Sequence, residues 1–171
     1  VYNTKHKLVY STQSSEKTLA APELGITNDE FNKLFSSNFK AHYFTKIDGK
    51  VNEVFGITVV PGKDTRHEGP AYGYIFVSRI MSQQVLDKVG DEVASSVKLI
   101  DLANTSKYSV NLDGKSGMIS YKKDLKGIDN EIVGQLYVTY SSETIKFVGN
   151  VLRSSLLSGL IFYLVLTLIL F

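Results

Sequence analysis

The sequence predicts an α+β fold, an antiparallel sheet with flanking helices followed by a C-terminal transmembrane helix. Three observations predict it. Residues 154–171 contain 13 apolar side chains and no charge. Alternating or β-branched runs at 42–47, 51–60, 72–80, 118–121 and 131–140 are separated by Asp-Gly and Pro-Gly turn signals. Between them, apolar residues recur at helical spacing after 27 and after 82.

The elements follow in order. Residues 7–10 (KLVY) form a short apolar run, and a polar loop follows it. Thr27 with Glu30 three residues on is a capping box, and Phe31, Leu34 and Phe35 at i, i+3, i+4 give the helix one buried face. Residues 42–47 and 51–60 flank Asp48-Gly49, which supplies the positive φ of a tight hairpin turn. Pro61-Gly62 opens a polar loop to Gly69-Pro70, and YGYIFVSRI at 72–80 is a strong strand. Ser82 can cap a helix whose stripe is Val85, Leu86, Val89 and Val93, with Gly90 as its weak point. A second strand set follows: residues 108–112, an Asp113-Gly114 turn, then 118–121 and 131–140. Ser141 and Ser142 offer caps to a helix that runs without proline into the apolar tail, with Gly149 as its soft point. GYIFVS at 73–78 and GQLYVT at 134–139 are similar, and each ends in a polar stretch that enters a helix. Two antiparallel units of one plan would produce this repeat, and so would chance similarity between two amphipathic strands.

The tail is long enough to cross a membrane. Eighteen helical residues at ~1.5 Å each cover roughly 27 Å, close to a hydrocarbon core of ~30 Å. Arg153 stands just before it, where a cation can reach the headgroups. The expected organisation is a sensor-like core at 1–100, a second strand unit at 101–141, a membrane-proximal helix at 142–153 and the span at 154–171. Val1 is not an initiator methionine, so a fragment or processed chain is expected.

Composition excludes several classes of function. The net charge is +2, with no basic cluster of the density a nucleic-acid groove needs, so no nucleic-acid partner is expected. With no cysteine there is no disulfide scaffold, thiolate metal site or cysteine nucleophile. His6, His42 and His67 lie on separate segments without metal-pair spacing, and no phosphate-binding glycine loop or nucleophile elbow occurs. No metal, no cofactor and no catalytic residue are expected, and this segment is read as a non-enzyme. The aromatic residues carry more information. Tyr43, Phe55, Tyr72, Tyr74 and Arg79 lie on adjacent predicted strands and are the candidate ligand-binding residues. The alternative is that the rings are sheet core. Arg79 shares a strand face with Ile75 and Val77, so it must meet an internal carboxylate or an anionic group of a ligand.

The order strand, helix, then three long antiparallel strands is the plan of a PAS-like sensor. KLVYS at 7–11, EGPAYGYIFVSRIM at 68–81 and SYKKDLKGIDNEIVG at 120–134 resemble the fourth CHASE-type extracellular sensory domain, a family related to Cache domains in prokaryotic membrane receptors. Gly69, Pro70, Gly73 and Arg79 match its first motif. Asp124 and Gly127 match its second, with Asn130 or Glu131 where proline is usual and Tyr140 where an arginine is expected.

The resemblance implies an extracytoplasmic sensory domain of a membrane receptor. A small molecule would bind between the sheet and the loops at 11–26 and 61–70. Occupancy would pass through the C-terminal transmembrane helix of a homodimer to a cytoplasmic output module of the histidine kinase or cyclase type. The alternative is a tail-anchored or structural membrane protein whose body is a cytosolic binding module.

Overall fold

The computed structural model describes residues 1–12, 24–36, 38–64, 66–100 and 102–170, without the side chains of 168–170. The class is α+β, with antiparallel sheets, helices and a C-terminal apolar helix. The strands divide over two sheets, of three and four strands. The chain forms two compact units. One is Val1–Ser82 with Asp124–Gly134, the other Gln83–Lys123 with Gln135–Phe171.

In the first unit, Leu8 of the apolar run 7–10 makes an isolated bridge with Tyr2, which also bridges Tyr74. Helix α1 (Asn28–Phe35) begins at the expected capping box. The Glu30 amide donates to the Thr27 hydroxyl at 3.3 Å, and the Thr27 amide donates to the Glu30 carboxylate at 2.7 Å. These bonds satisfy helix-start donors that otherwise have no acceptor. Strands β1 (Lys40–Ile47) and β2 (Lys50–Val59) form a hairpin through Asp48 (φ 50°) and Gly49 (φ 74°), the paired positive φ the Asp-Gly signal predicts. Strand β3 (Gly73–Ile80) pairs antiparallel with β2, giving the order β1-β2-β3.

Period-two alternation gives this sheet two different faces. Tyr43, Val54, Gly56, Tyr74 and Phe76 share the face that α1 covers. There Phe31 is 1 % exposed and contacts the rings of Tyr2, His6, Phe35, Tyr74 and Phe76, with centroids 4.2 to 6.5 Å away. Lys33 of α1 also reaches Asp129 at 2.6 Å. Both groups are solvent-exposed, so this pair adds little.

In the second unit, helix α2 (Gln83–Glu92) buries Leu86 and packs on β4 (Ser95–Ile100), a strand the sequence reading left out. A short 3-10 helix (Leu102–Lys107) follows. Strands β5 (Asn111–Asp113), β6 (Met118–Lys126) and β7 (Ile132–Ser141) complete a sheet of order β4-β7-β6-β5. The expected strand 108–112 shortens to Asn111–Asp113. Its turn is not the expected two-residue Asp-Gly type. Asp113 accepts from the Lys115 amide at 2.9 Å and the Ser116 hydroxyl at 2.5 Å, and the positive φ falls on Gly117. A side chain that satisfies the turn's own donors favours this longer loop. Those same bonds hold the Asp113 carboxyl below its ordinary value, the Ser116 hydroxyl first and the Lys115 amide second.

Helix α3 (Glu143–Leu170) runs for 28 residues without a break. That is roughly 42 Å at 1.5 Å per residue. It is long and apolar enough to cross a membrane, and Glu143–Thr167 is its candidate span. About 20 residues suffice for the hydrocarbon core, so about two turns are left over. Glu143, Lys146 and Arg153 place that excess at the N-terminal end.

Candidate functional site

The uncovered face of the first sheet gathers groups with chemistry to offer. Three rows cross it in register: Lys40, Ile57 and Ile75; His42, Phe55 and Val77; Phe44, Glu53 and Arg79. In the first two rows the apolar side chains stand open, with Phe55 46 % and Val77 64 % exposed. They line a shallow groove of about 420 Å³ with Lys40 and His42 at its polar margin. That volume lies within the range of small-molecule sites.

The third row supplies the charge. The Glu53 side chain is only 10 % exposed, with Arg79 at 2.6 Å and His42 at 3.0 Å from its two oxygens. Arg79 donates through Nε, and its side chain is 54 % exposed. His42 lies flat on Phe55, with ring centroids 4.4 Å apart and planes 7° from parallel. The histidine therefore links the charged row to the groove floor. The internal carboxylate that Arg79 requires is thus Glu53, the only charged residue in the run 51–60. The sequence shows that charge. Only the register shows that it lies beside Arg79.

Glu53 has one strong partner, and this predicts a measurable cost. Arg79→Leu leaves a nearly buried carboxylate with His42 alone. We expect a loss of about 1.5–3 kcal/mol in denaturant unfolding of the full chain. Glu53→Gln in the same background should restore part of it. An Arg79→Leu variant as stable as the parent would show that the pair is merely a surface contact.

The five predicted ligand residues do not converge. Phe55 lines the groove, and Arg79 lies on the same face two residues from Val77. Tyr43 and Tyr74 point to the α1 face, where Tyr74 meets His6, Phe31 and Phe35. Tyr72 precedes β3 and is 65 % exposed. Most of the loop 11–26, expected to border the ligand, lies outside the described residues. The groove residues Lys40, His42, Ile57, Ile75 and Val77 were missed because only cross-strand pairing brings them side by side.

Tyr43 is 4 % exposed, and its hydroxyl has no hydrogen-bond partner among the described residues. Burial pushes its phenol well above the ordinary value, and the charges of Tyr2 and Glu30 add to this. A raised folded-state value contributes stability that is complete below the unfolded value of about 10 and is lost as pH rises above it. Tyr43→Phe should flatten that alkaline loss. It should also leave stability at neutral pH unchanged or higher by about 1 kcal/mol, because an unmet hydroxyl is removed. A neutral-pH loss above that size would reveal a partner for the hydroxyl.

No protein-family model and no curated protein matches the chain. Among solved structures it is similar to the crystal structure of the periplasmic domain of Vibrio cholerae LuxQ, with 16 % identity and a TM-score of 0.33. The match covers 69 % of this chain and 62 % of that one, so the chain spans about three-fifths of its length.

Proposed function

We propose that the chain is the extracytoplasmic signal-sensing domain of a membrane receptor, with α3 as its conduit across the bilayer. One observation carries this reading. Strand β7 ends at Ser141 and α3 starts at Glu143, so a strand inside the second sheet leads directly into a helix that continues unbroken to Leu170. A flexible anchor needs no such rigid junction. A conduit does, because an unbroken helix transmits displacement from one end to the other.

The ligand is a small molecule held on the open face of the first sheet. Phe55, Ile75 and Val77 supply apolar contact, and Lys40 and Arg79 supply positive charge at the two ends. Occupancy acts only through a difference in affinity between two states of the receptor. The mature receptor is a homodimer whose α3 helices pair, and its output module is of the histidine kinase type. The resemblance to the fourth CHASE-type domains supports this reading.

Membrane sidedness tests it directly. The chain has no native cysteine, so a single Lys63→Cys in the exposed 61–64 turn is a clean probe. Intact cells are treated with a membrane-impermeant maleimide. Labelling before lysis is the expected result. Labelling only after lysis would place the body in the cytosol and replace this reading with a tail-anchored binding module.

A further inference from the structure

The first two turns of α3 are held in an unusual way. The turn that joins β5 to β6 lies against them, backbone to backbone. The Ser142 amide donates to the Gly117 carbonyl at 2.9 Å. A Cβ on Gly117 would strike the Ser142 carbonyl and would lie 2.8 Å from Lys146 Cβ. One turn further on, a Cβ on Gly149 would strike the Gly114 carbonyl. Residues 142, 146 and 149 fall at i, i+4 and i+7, one face of the helix. The opposite side carries Phe147 and Val151, 68 % and 44 % exposed. Gly149, which weakens the helix by propensity, is thus the residue that admits a neighbouring backbone. The turn itself is stiff, since Asp113 binds the Lys115 amide and the Ser116 hydroxyl and its carbonyl accepts from the Gly117 amide at 2.8 Å.

We propose that the 113–117 turn is a coupling seat, a glycine-lined rest that sets the position of α3 relative to the β5–β6 hairpin and converts movement of that hairpin into movement of the helix. This inference rests on α3 being the conduit. A backbone seat suits the task. It has no flexible side chain to absorb a displacement, so a small shift at the turn must be passed on or must break the contact.

The test uses the full chain in lipid nanodiscs, with spin labels on Lys107→Cys and Arg153→Cys, both exposed. Gly149→Leu should shift the distance between the labels by about 1–2 Å, the scale of known signalling helix shifts. Gly149→Ala should shift it the same way by less, which guards against a misfolded leucine variant. Gly159→Leu should not shift it, because that position has open space around it. The same variants are then placed in a chimera in which residues 1–171 replace the sensory segment of a histidine kinase.

A distance shift accompanied by a change in basal kinase output supports the seat. No distance shift overturns it and leaves the sensor reading standing. A distance shift without a change in output, while Val148→Pro does change output, also overturns it as a coupling element. Output that ignores both Gly149→Leu and Val148→Pro overturns the conduit itself, and the seat with it.

Discussion

Phe31→Ala is expected to lower the unfolding free energy by about 3–5 kcal/mol, the range for truncating a fully buried aromatic ring. Phe31 is 1 % exposed and is the only buried residue of α1. Five other rings surround it, from Tyr2 and His6 on the N-terminal segment to Tyr74 and Phe76 on β3. Alanine would leave a cavity bounded by groups on three different elements, and such a site collapses poorly. An eight-residue helix is also marginal by itself. Without its anchor, α1 should detach before the sheet melts. Hydrogen exchange on the full chain should then show protection lost across Asn28–Phe35 and reduced across β1 to β3. Val9→Ala, at a site 59 % exposed, is the control and should stay within about 0.5 kcal/mol of the parent. Equal effects of the two substitutions would mean that the aromatic cluster is not the core of the first unit.

Val148→Pro is expected to uncouple the body of the chain from the apolar part of α3. Proline removes the hydrogen bond from residue 148 to the Thr144 carbonyl, and its ring clashes with that carbonyl, at a cost of about 3 kcal/mol or more within a helix. Val148 is 48 % exposed and lies in α3 beside the 142–146–149 face that the 113–117 turn grips. The body should keep its fold, because the break falls beyond the last strand. In the kinase chimera, basal output should move to the level of a chimera with no sensory segment. Val148→Ala keeps the helix and should retain the parent output. Parent-level output from the proline variant would show that no signal passes along α3.

How much of this was legible in the sequence depended on the range of the interaction involved. The Thr27 to Glu30 capping box, the Asp48-Gly49 turn and the start of α3 after Ser142 all rest on bonds within a few residues. Such signals are complete in the local sequence. The strand 95–100 was harder. SSVKLI carries weak alternation, and it becomes a strand because β7 pairs with it, Val97 opposite Val138. The 113–117 turn misled for a related reason. Asp-Gly is the signal of a two-residue turn, but side-chain bonds to Asp113 and the contact of Gly117 with α3 favour a longer loop.

The candidate site divides the same way. That Arg79 needs a counter-charge followed from its place among apolar neighbours, but Glu53 lies 26 residues away along the chain. The five aromatic and basic residues were grouped by adjacency of strands. Which face each occupies depends on the register of β1, β2 and β3, and a one-residue change of register would reverse it.

By itself, then, the sequence determined the α+β class, the capped helix, the first hairpin and an apolar segment long enough to span a bilayer. These follow from local dihedral preference, short-range hydrogen bonds and composition, each complete within a window of about twenty residues or fewer. Only the tertiary structure decided the division into two sheets, the pairing of Arg79 with Glu53, the separation of Tyr43 and Tyr74 from Phe55, and the seat of α3 against Gly114 and Gly117. Each of these arises where strand pairing or backbone contact joins residues far apart in the chain, and no local pattern specifies which distant partner a residue will meet.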